Sequence, residues 1–371
     1  KFITLSGTEN YVRQTGAIAA DIKTFLNDIS DLNPDISGQM TMTVQVHQAD
    51  AVTPLLAAVA VTTEDLNFSD DRMNEIFSAR PTFAANIRRT AAGALEIIDA
   101  SLASKHLALE ASANISTELL IDSAQYHLAI SELENIKGIK DLALEGRVDA
   151  SGSLSGSLAE PSLTMEVGLN QLDIQGLKLN NVLARMSADN IFDQPNGNIA
   201  IESETNLGVL SGKADFAIDE KGSYKISAID MAMGAYRAHG AIKALSGKPA
   251  IGTVTLVTEN MQEIGGGLQG AIKAEIKLAN EGGLQRVILS SNVTKIKFPV
   301  GDNEIVTLSS GQLTAAALFG DTTPQITLEA QLTDMSHPRL QSSDVRLNIG
   351  SDLDSLTYDM RLKGTEFMPY E

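Results

Sequence analysis

Residues 271–278 read Ala-Ile-Lys-Ala-Glu-Ile-Lys-Leu, and this stretch decides the fold class. Ile272, Ala274, Ile276 and Leu278 share one phase of a two-residue period, while Lys273, Glu275 and Lys277 fill every alternate place. Successive side chains of a strand point to opposite sides, so this pattern describes a strand with one dry face and one wet face. The same alternation, which helix spacing does not fit, recurs at Leu107, Leu109, Ala111 and Ala113, and at Leu163, Met165, Val167 and Leu169. It returns at Val287, Leu289 and Val293, at Ile326, Leu328, Ala330 and Leu332, at Val345, Leu347 and Ile349, and at Leu356, Tyr358, Met360 and Leu362.

Turn formers lie between these runs: Ser151-Gly152, Pro195-Asn196-Gly197-Asn198, Asp219-Glu220-Lys221-Gly222, Asn280-Glu281-Gly282-Gly283 and Gly301-Asp302-Asn303. Connections this short favour hairpins, hence an antiparallel meander. At about 12 to 15 residues per strand and turn, residues 101–371 are expected to hold roughly 20 strands, on the order of 100 Å of sheet at about 4.8 Å per strand. A loose repeat accompanies them: Gly, a short gap, Pro, one residue, then an alternating strand. It reads Leu154-Ser-Gly156-Ser-Leu158-Ala-Glu-Pro161-Ser-Leu163, with weaker echoes at Leu245 to Ile251 and Leu318 to Ile326. Gly lets the chain turn back, and Pro at a strand start forfeits no ladder bond.

Residues 1–100 read differently, as a mixed region. Ile18, Ile22, Phe25, Leu26 and Ile29 fall at helical spacing. Met40, Met42, Val44 and Val46 alternate like a strand and are followed by the cluster Val52, Leu55, Leu56 and Val59. Asp70-Asp71 ahead of Met73, Ile76 and Phe77 reads as the start of a short helix stopped by Pro81.

Composition narrows the function. The 371 residues carry 28 Lys+Arg against 47 Asp+Glu, a formal charge of −19, and no Lys/Arg run exceeds the pair Arg88-Arg89. Such a surface repels phosphate backbones, so no nucleic-acid partner is expected. With no Cys the chain has no disulfide, no thiolate nucleophile and no Cys-based metal site. No stretch reaches the roughly 18 to 20 apolar residues of a membrane span. Lys1 opens the chain without a basic-then-apolar leader, which reads as a piece of a longer protein.

Enzymatic chemistry finds no footing, and no cofactor is expected. His47, His106, His127, His239 and His337 form no His-x-His or His-x-x-x-His pair and read as exposed strand or turn residues. Gly265-Gly266-Gly267-Leu268-Gln269-Gly270 matches a dinucleotide fingerprint formally, but a strand pattern comes next where that motif needs a helix. The carboxylate pairs Glu132/Glu134 and Glu202/Glu204 read as solvated strand faces, and Asp352 with Asp354 as a solvated turn.

The stretch Gly146 to Met186, GRVDASGSLSGSLAEPSLTMEVGLNQLDIQGLKLNNVLARM, resembles the TamB/AsmA-like family of bacterial envelope proteins, especially its TamB branch. It has the family's order of a Gly-x-Leu-x-Gly-x-Leu strand, a Pro-started strand, a Gly-x-x-Leu strand and a further strand, and the likeness extends over about residues 100–371. The resemblance implies an interior segment of a long periplasmic protein of a Gram-negative bacterium, with an inner-membrane anchor and a C-terminal domain elsewhere in the chain. It also implies a sheet curled into a U-shaped trough (a β-taco) with an apolar inner face that carries phospholipid acyl chains between inner and outer membrane. Through that C-terminal domain the implied partner is an outer-membrane barrel of the BamA-like insertase family.

Physical reasoning converges on the same trough. A sheet with one apolar face left in water loses roughly 25 cal/mol per Å² of apolar area. The remedies are a second sheet, a closed barrel, oligomerisation, or a curl around an apolar ligand. A lining of Ala, Val, Ile, Leu and Met with few aromatics suits flexible acyl chains, each buried CH₂ contributing about 0.8 kcal/mol. The expected groove lining is Leu163, Met165, Val167, Leu169, Ile272, Ile276, Leu278, Val287, Leu289, Val293, Ile326, Leu328, Leu332, Val345, Leu347, Ile349, Leu356, Tyr358, Met360 and Leu362. The competing readings are a packed β-sandwich, a scaffold or chaperone that offers its sheet edges to outer-membrane proteins during assembly, and an adhesin-like β-helix rod.

Overall fold

The computed structural model describes residues 3–12, 15–31, 33–77, 80–136, 144–174, 177–261, 268–300, 304–319, 325–337, 340–351, 356–364 and 366–367. The chain divides into two compact units, Lys1–Asp193 and Gln194–Glu371.

The N-terminal unit holds strands β1 (Ile3–Val12), β2 (Ala17–Leu26), β3 (Ile36–Gln48), β4 (Leu55–Phe68), β5 (Thr82–Arg89) and β6 (Leu95–Ala103). It continues with β7 (Leu107–Ile115), β8 (Leu120–Ile130), β9 (Leu144–Ser157), β10 (Pro161–Ile174) and β11 (Leu177–Asp189). The C-terminal unit holds β12 (Asn196–Thr205), β13 (Gly208–Ile218), β14 (Tyr224–Met233), β15 (Tyr236–Ala244), β16 (Ile251–Thr258) and β17 (Gln269–Glu281). After these come β18 (Leu284–Val300), β19 (Glu304–Phe319), β20 (Gln325–His337), β21 (Leu340–Ser351), β22 (Leu356–Lys363) and the two-residue β23 (Glu366–Phe367).

Within each unit successive strands pair antiparallel, as the short connections require, apart from β23, which pairs with β21 beside β22. Among the described residues no pairing joins the first and last strands of either unit, so neither sheet closes. The expected all-β antiparallel meander is what the chain forms. The hairpin from Gly156 to Pro161 behaves as read: Gly156 takes φ +95° at the end of β9 and Pro161 opens β10, buried. Gly320 to Pro324 of the third echo lie outside the described residues.

The first hundred residues need correction. Ile18 to Leu26 are not helical; they form β2 and pair with β1 and β3. Val52 precedes β4, and Leu55 to Val59 lie in it. The short helix is where it was expected, as α1 (Asp71–Ile76). It is pinned by Asn74, whose Oδ1 accepts the Phe68 N–H at 2.5 Å and whose Nδ2 donates to the Phe68 carbonyl at 2.8 Å. The Phe68 and Phe77 rings meet at 5.4 Å. Ser151-Gly152 is no turn either, since it lies in the middle of β9.

Two devices bury side chains in this single-layer architecture. In the N-terminal unit the β8–β9 connection carries a 3-10 turn, Leu133–Asn135, and Leu133 and Ile136 are 2% and 0% exposed. In the C-terminal unit a crease crosses β18 to β21. There the apolar face holds Val293 and Ile296, Leu308 and Gly311, Leu332 and Met335, Ser342 and Val345, each pair three residues apart rather than two. Every one of the four strands spends one extra residue at the same level, so the ladders Val293–Gly311–Leu332–Val345 and Ile296–Leu308–Met335–Ser342 both stay in register. Lys295 and Asp334 take φ of +52° and +51° at this line. Such extra residues bend a sheet and raise its twist. Ile296 and Leu308 are buried there with Met261, and Ile272, Val293, Leu332 and Met335 pack against them.

Candidate functional site

Directly paired residues of antiparallel strands project on the same face, so the registers show which side chains share a surface. In the C-terminal unit one row runs Ile201, Gly212, Met231, Ala238, Leu256, Ala274, Ser291, Leu313, Ala330, Leu347, Met360, from β12 to β22. Beside it runs a second, Gly240, Val254, Ile276, Leu289, Ala315, Leu328, Ile349, Tyr358. Neither contains a charged residue. The opposite face of the same strands carries Lys213, Asp230, Arg237, Lys273, Glu275, Lys277, Glu329 and Arg346.

The N-terminal unit repeats the arrangement. Its central row runs Ile22, Val44, Val59, Ala85, Ala100, Ala111, Tyr126, Gly152, Met165, Met186. Small residues leave room for large ones beside them. A Cβ on Gly152 would lie 2.6 Å from the Tyr126 hydroxyl, so the ring covers the glycine, and partial burial pushes the Tyr126 hydroxyl pKa up. In the same way a Cβ on Gly212 would stand 3.0 Å from Ile201 Cγ2 and 3.2 Å from Met231 Cγ.

The registers bring the expected lining residues of each unit together on one face. Leu163, Met165, Val167 and Leu169 lie on β10 of the N-terminal unit. Ile272, Ile276, Leu278, Val287, Leu289, Val293, Ile326, Leu328, Leu332, Val345, Leu347, Ile349, Leu356, Tyr358, Met360 and Leu362 lie on β17 to β22 of the C-terminal unit. Most are half-buried, Val345 is buried, and the outward-phase residues between them are mostly exposed. Among the described residues of each unit no second layer covers the unit's own strands, so this asymmetry follows from curvature towards the apolar side. Shelter fails at β22, where Tyr358 and Met360 are 77% and 53% exposed, because among the described residues only β21 flanks that strand.

Several readings change. His106 is not an exposed turn residue; it is 5% exposed, with Nδ1 3.5 Å from Glu132 Oε2, and its carbonyl accepts the Ser131 N–H at 2.9 Å. Glu132 and Glu134 sit on the β8–β9 connection rather than on a strand. The Glu134 carboxylate is held below the ordinary carboxylate range by backbone N–H donors, its own and that of Gly146, the latter at 3.0 Å. Glu202 and Glu204 lie exposed on β12 as expected. Gly265 to Gly267, Gly301 to Asn303 and the pair Asp352/Asp354 lie outside the described residues, and from Gln269 the chain runs as strand β17 rather than as a helix.

Sequence reasoning missed half of the apolar rows. Ala238, Ala315, Gly212 and Gly240 are silent in a search for large apolar residues, and Ile251-Gly-Thr-Val-Thr-Leu-Val-Thr258 is apolar enough on both phases to hide which one faces in. Among the described residues no helix is long and apolar enough to cross a membrane, and no group of three or more His, Asp or Glu is placed to hold a metal ion. No family model, no curated protein and no solved structure matches the chain.

Proposed function

We propose that the chain is a segment of a non-enzymatic conduit in which the apolar sheet faces shield phospholipid acyl chains while the charged faces meet water. One observation carries the reading: a row of uncharged side chains that runs unbroken across every strand from β12 to β22, with a second beside it from β15 to β22. A packed sandwich would seal such rows under a second layer, yet residues such as Ile276 and Ile326 remain exposed at 38% each. Sliding acyl chains need apolar area without directional demand, and Ala, Val, Ile, Leu and Met provide it. On this reading the chain works in the periplasm between two membranes as a member of the TamB/AsmA-like group, with its membrane and barrel contacts made by other parts of the protein.

The test is Leu328→Arg, placed within the second row. In an open trough the long side chain reaches water, so the variant stays folded and loses the phospholipid that the parent carries through purification, as read by native mass spectrometry. In a sealed core the charge has no exit and the variant melts or precipitates. A parent protein that retains no lipid, or a folded variant that retains all of it, overturns the reading.

A further inference from the structure

We propose that the charged face of the C-terminal unit holds a separate site for a single-chain amphiphile with a phosphate headgroup, gripped by Lys225, Lys243 and Lys277. These lysines border a depression of about 590 Å³ that spans β14 to β17. That is the size of a small-molecule pocket. Ala241, Ile251 and Ala279, with the lysine methylene stems, give it an apolar lining beneath cationic tips.

The charge arrangement points to an anion. Lys225 and Lys243 are direct cross-strand partners, Lys243 next faces Ile251, and Lys277 faces Thr253. Like charges placed directly opposite destabilise a sheet. A chain with 47 acidic residues had ample means to set one against them, and elsewhere on this face it does so: Lys213 meets Asp230 at 3.6 Å and Arg286 meets Glu281 at 2.5 Å. The three lysines of the depression have no acidic partner within ion-pair distance among the described residues. From Lys221 to Asn280 seven Lys/Arg stand against four Asp/Glu, a local excess of positive charge in a protein of net charge −19. A phosphomonoester brings about 1.5 to 2 negative charges at pH 7, enough to offset the repulsion between the paired lysines. Its three terminal oxygens suit several ammonium donors at once, and the apolar lining takes the start of one acyl chain. The site lies on the face opposite the uncharged rows, so it stands or falls independently of the conduit reading.

The experiment titrates the whole chain with lysophosphatidate below its micellar concentration, by calorimetry and native mass spectrometry. Monoacylglycerol of the same chain length and inorganic phosphate are titrated in parallel. One equivalent of lysophosphatidate is expected to bind. Replacement of all three lysines (Lys225→Gln, Lys243→Gln, Lys277→Gln) weakens it at least tenfold, whereas Lys213→Gln, on the same face but outside the depression, leaves it unchanged. Without ligand the triple variant melts no lower than the parent, because the like-charge pair is gone; if it fails to fold, Lys243→Gln alone serves, with a smaller loss expected. The proposal is overturned if the parent does not bind, if the variants bind as tightly as the parent, or if monoacylglycerol binds equally well. It is also overturned if phosphate alone binds equally well, which marks a free-anion site, or if the lysines prove to drive only self-association of the chain.

Discussion

The two units build the same kind of amphipathic sheet and bury side chains in it by two means used in different proportion. The N-terminal unit scatters register shifts over six of its strand pairings and covers its strands locally: the β8–β9 connection sends Leu133 and Ile136 out of solvent, and α1 with the 3-10 turn at Ile29–Asp31 occupies two other connections. In a meander the connections alternate between two rims, so β2–β3, β4–β5 and β8–β9 lie on the same rim. The C-terminal unit has no helical segment among its described residues longer than an isolated turn, and its buried cluster joins the crease at Ile296 and Leu308 to Met261 from the β16–β17 connection. A shorter crease exists in the N-terminal unit, where Leu169 and Leu172 on β10 pair with Val182 and Leu179 on β11. The contrast teaches that a single sheet has two ways to make a core: borrow residues from its loops, or insert residues into its strands.

This contrast can be broken from either side. The largest effect is expected for Ile136→Ala, which leaves a cavity under a fully buried side chain and costs about 3 kcal/mol. Hydrogen exchange should accelerate in peptides of the N-terminal unit and hold steady in those of the C-terminal unit; equal acceleration in both would show that they unfold as one body. Next comes Gly311→Val at the crease. A Cβ there stands 2.9 Å from Leu332 Cδ2, 3.0 Å from Val293 Cγ2 and 3.3 Å from Leu308 Cδ2, so overpacking of about 1–3 kcal/mol is expected in a urea melt. Gly168→Ala on β10 is the control, since its Cβ would meet only the Asp149 carbonyl oxygen at 3.9 Å, and it should change stability by less than about 0.5 kcal/mol.

The smallest effect concerns acid. The Asp219 carboxylate accepts backbone N–H groups from Ser223 at 2.8 Å and Lys221 at 2.9 Å, and these donors hold its pKa below the ordinary value. A carboxylate with a lowered folded pKa contributes stability above its unfolded pKa and loses it as pH falls through the folded one. Asp219→Asn should therefore lower the melting temperature slightly at neutral pH and leave it unchanged at strongly acid pH. A deficit that persisted in acid would mean that the turn needs the side chain's shape rather than its charge.

How much of this was legible in the sequence depended on the residue type that carried the signal. Where large apolar and charged residues alternate, as at Ile272 to Leu278, phase and face were both readable. Ile18, Ile22 and Leu26 were misread because positions four apart satisfy a strand and a helix equally, and Ala17, Ala19 and Ala20 between them do not choose. Phe25, which tipped the reading towards a helix, turns out to lie on the opposite face, 36% exposed. The crease was illegible for another reason. An extra residue in a strand needs no special side chain, and Ser309 and Lys295 look like any outward-facing position until the pairing is known. His106 was invisible as a buried residue because what covers it arrives from a connection 25 residues later in the chain, a tertiary fact rather than a pattern.

The crease also constrains how this protein can change length. A whole hairpin can be added to or lost from a meander without disturbing the strands that remain, since each touches only its neighbours. The extra residues of β18 to β21 have no such freedom. Deleting one from a single strand turns every side chain beyond that point to the wrong face and mismatches both adjoining ladders, whereas deleting one from each of the four restores a plain pleat. Insertions and deletions in this stretch are therefore tolerated as a set or not at all, and a gene drifting by single codons has no gradual path across the line.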